Sequence, residues 1–318
     1  MAFNPPSIPL NGTSTLTISL FNPETSDTDL VGVSLTDTLP AGLTVANGSA
    51  SVCFGDAGTL TTSGGNTIAF TLPTLYVGWG CSFDVVVSGP GVAGGYTNTA
   101  GPIVSTGGIP GNSASATLYV LAPPTIGMAF HPATIEVGAQ SSLTFTLTNN
   151  AANGADITGA GVAATLPAGL AVADGTLSGC GGIVTTSGGN TISLSGGTIP
   201  VASDCTFSVN VTGAAIGGYT TASGAISSAN AGTGGSATAG LVVTAKAATP
   251  PADPSPTSAV AGATATSAAV TAPPTSTDGS DTPGKSDSMP LLALMLAFVA
   301  VVIAVRRAEL RAGHMDLR

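Results

Sequence analysis

Cys81-Ser82-Phe83-Asp84-Val85-Val86-Val87 returns further along the chain as Cys205-Thr206-Phe207-Ser208-Val209-Asn210-Val211, and this pair of stretches decides the fold. In each, alternate positions are Cys, Phe, Val and Val, while the positions between them are mostly polar. A period of two sends alternate side chains to opposite faces of a strand, so both stretches read as half-buried β-strands. Working outward, Leu16-Thr17-Ile18-Ser19-Leu20 is echoed by Leu143-Thr144-Phe145-Thr146-Leu147, with Asn22 matching Asn149. Leu39-Pro40-Ala41-Gly42-Leu43 recurs unchanged from Leu166 to Leu170, and Thr61–Ile68 recurs unchanged as Thr185–Ile192. Gly94-Gly95-Tyr96-Thr97 is matched by Gly217-Gly218-Tyr219-Thr220. The offset is 127 residues up to Cys180, 124 after it and 123 at the Gly-Gly-Tyr motif. Short alternating strands punctuated by Gly, Asn and Pro turns, all present twice, predict two tandem Ig-like β-sandwiches in an all-β chain. The domains are placed at residues 1–122 and 123–246.

Charge narrows the function. The 318 residues hold six Lys or Arg and 16 Asp or Glu. Residues 1–288 carry 14 acidic groups against Lys246 and Lys285, a net of −12. Nucleic-acid affinity comes mainly from Lys and Arg neutralising phosphates, so no nucleic-acid partner is expected. No Gly-x-Ser-x-Gly elbow, P-loop or His cluster is present, and no catalytic residue or cofactor is predicted. Gly89-Pro90-Gly91-Val92-Ala93-Gly94 fits G-x-G-x-x-G, but it lacks the helix a dinucleotide fingerprint must open and reads as a turn.

Each repeat holds two cysteines, Cys53 with Cys81 and Cys180 with Cys205. Four cysteines allow three connectivities, and the duplication favours the pairing within each repeat. A disulfide is the leading reading, ahead of buried free thiols; zinc would need more ligands at closer spacing, so no metal is expected there. Disulfides imply an oxidising compartment.

The ordered set Ser-x-Leu-Thr-Phe-x-Leu-x-Asn (141–149), Leu-Pro-Ala-Gly-Leu, a Cys, Ser-Gly-Gly-Asn-Thr-Ile, a second Cys and Gly-Gly-Tyr resembles a known repeat family. It is similar to the "conserved repeat" domains of unknown function, Ig-like modules strung along large bacterial and archaeal surface proteins. The resemblance covers about residues 1–245 and implies an extracellular, usually non-catalytic role. Such repeats often carry Asp-x-Leu-Pro; Asp37 keeps it, whereas Ala164 replaces it in the second repeat, which is expected to lack a polar turn contact.

Residues 247–288 are dominated by Pro, Ala, Ser and Thr and read as a disordered stalk. Met289–Val305 is an uncharged apolar run, followed by Arg306 and Arg307. It reads as a single transmembrane helix whose arginines snorkel to the interface, with 306–318 as a basic cytoplasmic tail. The ectodomain is then outside, at the cell surface. No Leu-Pro-x-Thr-Gly sorting motif precedes the helix. Met1 stands at the repeat position of Met128 and nothing near it resembles a signal peptide, so the chain is expected to be the C-terminal part of a longer secreted protein.

Three candidate contacts remain. Trp79, the only tryptophan, either closes one end of a sandwich over the adjacent cysteine or stacks on a glycan or protein partner. Glu24, Asp27 and Asp29 share a loop and could offer oxygens to calcium, although a solvated acidic loop is the simpler reading. Asn11, Asn47 and Asn210 fit the N-glycosylation sequon, a pattern expected by chance in a chain so rich in Ser and Thr. The expected role is that of a membrane-anchored spacer. An adhesin or carbohydrate-binding module is the first alternative, and the spacer region of an enzyme whose catalytic domain lies upstream is the second.

Overall fold

The computed structural model describes residues 1–49, 52–53, 56–63, 65–106, 110–173 and 177–248. The described residues form β-strands and loops, with no helix among them. The stalk beyond Ala248, the apolar run Met289–Val305 and the Arg306–Arg307 tail lie outside the described residues, and among those described no helix is long and apolar enough to cross a membrane.

The first repeat packs two sheets face to face. One orders its strands Ala2–Asn4, Thr13–Phe21, Gly80–Ser88 and Thr44–Ser49. The other orders Ser7–Pro9, Ala114–Leu121, Gly94–Ala100, Leu30–Thr38, Thr67–Leu75 and Thr59–Ser63. The period-two pattern is what fills the space between them. Cys81, Phe83, Val85 and Val87 point inward from one sheet, meeting Val33, Leu35, Ile68, Phe70 and Leu72 from the other. Fully burying each such aliphatic or aromatic side chain contributes roughly 1.5–3 kcal/mol.

The second repeat rebuilds the same layout, with sheets ordered Thr125–His131, Gln140–Thr148, Asp204–Gly213, Leu170–Val172 and Thr134–Glu136, Thr238–Thr244, Gly217–Ser223, Ile157–Thr165, Thr191–Ile199, Gly182–Ser187, Leu177–Gly179. In both repeats the first strand starts in one sheet and continues in the other, pairing in parallel with the last strand. A buried serine hydroxyl secures each crossing: Ser14 donates to the Pro5 carbonyl at 2.7 Å, and Ser141 to that of Pro132 at 2.6 Å.

The two cores solve one packing problem differently. Phe83 stacks on Phe70 from the facing sheet, ring centroids 4.4 Å apart. Its counterpart Phe207 stacks at 4.5 Å on Phe145, its neighbour within the same sheet. Leu194 then stands where Phe70 did, and Ile18 where Phe145 does, so one aromatic and one aliphatic have changed places across the sandwich. Close packing tolerates such an exchange because the total volume is kept.

Candidate functional site

The end of the first repeat around the Tyr76–Gly80 turn carries its main exposed aromatic surface. Trp79 is 44% exposed, Tyr76 43% and Phe21 61%. The turn is held from beneath by Asn22, which is buried. The Asn22 amide N–H donates to the Trp79 carbonyl at 3.0 Å, and Gly78 N–H donates to the Asn22 carbonyl at 2.8 Å. Its side-chain Nδ2 reaches the carbonyls of Leu75 at 3.0 Å and Thr28 at 3.2 Å. Asn149 does the same in the second repeat, donating to Ala155 and Ile199 at 3.1 Å. The signal for this role was a polar residue recurring just after an alternating apolar run; its purpose, satisfying loop carbonyls that would otherwise be buried unpaired, is visible only in three dimensions. Phe21, Tyr76 and Trp79 are replaced by Thr148, Pro200 and Ser203 in the second repeat, so the aromatic surface belongs to the first repeat alone.

The acidic loop beside this turn is structural. Asp29 Oδ1 accepts from Val77 N–H at 2.9 Å, and Asp156 Oδ1 accepts from Val201 N–H at 2.8 Å at the equivalent place. The Glu24 side chain lies over Gly78. Among the described residues no three His, Cys, Asp or Glu side chains, Glu24, Asp27 and Asp29 included, come together as a group that could hold a metal ion.

Cys180 and Cys205 are disulfide-bonded, with Cα atoms 5.3 Å apart. Cys180 sits in the turn between Leu177–Gly179 and Gly182–Ser187 of one sheet, and Cys205 in the strand Asp204–Gly213 of the other. The bond therefore staples the two layers of the sandwich. Cys81 is also disulfide-bonded, and among the described residues no cysteine is free. The side chain of Cys53 lies outside the described residues.

Asp37 is not at a turn contact, contrary to the expectation for Asp-x-Leu-Pro. It is buried within the second sheet, where its Oδ2 accepts from Asn98 Nδ2 at 2.7 Å. Burial pushes its carboxyl above the usual range, and the Asn98 hydrogen bond works in the opposite direction. Ala164 and Thr221 occupy these positions in the second repeat, which lacks this pair.

The repeated Leu-Pro-Ala-Gly-Leu and Gly-Gly-Tyr motifs meet. Tyr96 and Tyr219 donate their hydroxyls to carbonyls four residues upstream, Val92 at 3.0 Å and Ala215 at 2.8 Å. Their rings lie against Gly42 and Gly169, whose φ angles are +101° and +98°. Only glycine accommodates both that backbone and the ring, so the two motifs recur together. This matches the tyrosine corner of Ig-like sandwiches. Gly89–Ala93 is a loop between strands, tied by Gly89 N–H to the Gly12 carbonyl at 2.9 Å, and Gly94 opens the next strand. Asn11 and Asn47 are exposed, while Asn210 is half-buried within a strand opposite Ser142.

Among solved structures, the Streptococcus agalactiae AgI/II polypeptide BspA C-terminal domain is 14% identical, with 74% of this chain and 94% of that one covered and a TM-score of 0.41. The C-terminal domain of the Streptococcus pyogenes antigen I/II-family protein AspA is 13% identical over 73% and 93%, at 0.33. The Yersinia pseudotuberculosis adhesin InvE is 16% identical over 76% and 57%, at 0.26. At these scores the likenesses define neither topology nor ligand for this chain. No curated protein matches it significantly. The family described as "Domain of unknown function (DUF7933)" matches residues 1–120 and again residues 124–243. The chain belongs to that family and carries its domain twice in tandem.

Proposed function

We infer that this is a non-enzymatic surface protein, anchored by Met289–Val305, whose paired sandwiches act as a structural spacer projecting from the membrane. The carrying observation is the covalent staple between the layers of the second sandwich, Cys180–Cys205, together with the disulfide at Cys81. Such bonds persist outside the reducing cytosol and hold small-side-chain cores against unfolding. Low charge across both repeats limits nonspecific attraction to other surfaces. Deleting residues 289–318 is the test. The spacer reading expects the shortened protein to leave the membrane fraction for the medium with its disulfides formed. Retention in the cytosol with free thiols would sink it.

The second reading is an adhesive or glycan-binding module, favoured by Phe21, Tyr76 and Trp79 at one end of the first repeat. Rigid aromatic side chains at a loop-built surface suit stacking on sugars or seating a protein partner. Binding on a glycan array that Trp79→Ala abolishes, at unchanged melting temperature, would select it.

A further inference from the structure

The junction between the repeats shows what the second sandwich needs from the chain ahead of it. Leu121 is fully buried in the core of the second repeat, not the first. Asn153 Oδ1 accepts from Ala122 N–H at 2.7 Å, and its Nδ2 donates to the Ala122 carbonyl at 3.0 Å and to Asn149 Oδ1 at 2.7 Å. Pro124 is buried, its carbonyl filling the space above Gly234 where a side chain would stand. Thr125, Ile126 and Gly127 then pair with Thr148, Leu147 and Thr146. Under this cover Ile157 and Ile226 are wholly buried.

The first repeat has the same seat, and among the described residues none covers it as the linker covers the second. A groove of about 400 Å³ is lined by Leu20, Asn22, Ser26, Leu30, Ile103 and Gly111 among others. The backbone bonds framing it repeat those of the second sandwich: Gly111 N–H to the Ile103 carbonyl at 2.8 Å, as Gly234 to Ile226. Leu30 and Ile103, the counterparts of Ile157 and Ile226, are only half-buried. Among the described residues the buried Asn22 Oδ1 atom has no hydrogen-bond partner, where Asn149 Oδ1 has Asn153. Among the described residues Ser19, Leu20 and Phe21 also have no strand on the side where Thr146–Thr148 pair with the linker.

We propose that this groove and strand edge form an acceptor site for an extended Leu-Ala-Pro-Pro-type segment, the trailing linker of a preceding repeat of the same family. The apolar residue covers Leu30 and Ile103, the second proline lies over Gly111, and the following residues add a strand along Ser19–Phe21. Main-chain pairing supplies affinity and the pocket supplies selectivity, as in other strand-addition sites. The second repeat ends in Thr244-Ala245-Lys246-Ala247 where the first has Leu121-Ala122-Pro123-Pro124, so a second copy of this chain is the poorer occupant. Asp27 stands where Gly154 receives the Tyr119 ring, so the residue two before the apolar anchor is small or pairs with a carboxylate. The site stands on this geometry and does not depend on the surface-spacer reading.

The test joins Leu-Ala-Pro-Pro-Thr-Ile-Gly directly ahead of Met1 in the full chain and follows amide hydrogen exchange at Ser19 and Phe21, whose N–H groups alternate away from the strand Gly80–Ser88. Exchange there is expected to slow at least tenfold, and a scrambled extension is expected to leave it unchanged. Gly111→Phe fills the proline seat from an exposed position and should abolish the gain. Ser26→Asn, restoring the counterpart of Asn153, should deepen the protection several-fold. Unaltered exchange, equal protection by the scrambled extension, or protection that survives Gly111→Phe overturns the proposal. So does protection that scales with protein concentration, because the segment would then be docking between molecules.

Discussion

Removing the second sandwich's staple is the sharpest perturbation of its stability. In Cys180→Ser/Cys205→Ser the fold loses no side chain larger than a sulfur, but its unfolded chain regains the freedom of a loop closed over 25 residues. Chain-entropy scaling for a loop of that length gives about 3.5 kcal/mol. A repeat of roughly 120 residues unfolds with an entropy of about 250 cal/mol/K, so the midpoint of this repeat should fall by about 14 °C. Differential scanning calorimetry of the full chain without reductant reads this directly, and the first repeat, still disulfide-bonded at Cys81, is the internal reference. The loss should be of the same order in guanidinium chloride. A midpoint drop under about 3 °C in the second repeat would mean that the staple does not constrain the unfolded state as argued.

Four further outcomes are expected. Gly169→Ala forces a side chain onto a φ of +98° and into the Tyr219 ring, and should cost about 2–3 kcal/mol by thermal denaturation. Ile18→Phe and Phe70→Leu should each destabilise the first repeat by about 1–3 kcal/mol, whereas the double variant, copying Phe145 and Leu194, should cost clearly less than their sum. Asn153→Ala removes all three hydrogen bonds at the junction, and should raise exchange at Ala122 and lower stability by about 2 kcal/mol in denaturant titration. Asp37 favours its protonated form when folded, so its contribution is fullest below the ordinary carboxyl pKa of 3.8 and declines as pH rises through the elevated folded value. The stability of Asp37→Asn relative to the parent should therefore increase with pH over that window, and a constant difference from pH 3 to 7 would refute the burial argument.

The layers of the sandwich were legible because they depend on local alternation. Cys81, Phe83, Val85 and Val87 are buried, as their spacing requires, and the duplication exposed the second domain without any structural knowledge. The pairing of Cys180 with Cys205 followed from the same duplication. What was not legible depends on long-range contact. Asp37 read as a turn residue through the Asp-x-Leu-Pro pattern of the repeats it resembles, yet its partner is Asn98, across the sheet. Asn22 and Asn149 were visible as a matched pair, but the strand-end carbonyls they satisfy, Leu75 and Ile199, lie up to 53 residues away. Asp29 was legible only as one charge in an acidic loop, because composition records charge and not direction; its carboxylate is turned toward Val77 N–H. The groove on the first repeat leaves no sequence signal except by comparing Ser26 with Asn153 once the role of Asn153 is known.

The central claim, a disulfide-stapled pair of sandwiches held outside the membrane, is met most directly by protease treatment of intact cells. Cleavage in the stalk beyond Ala248 should release a fragment holding both repeats, with a non-reduced mass below the reduced mass by the hydrogens of two disulfides. A fragment that stays protected until the cells are lysed, and then shows four free thiols, would contradict the account.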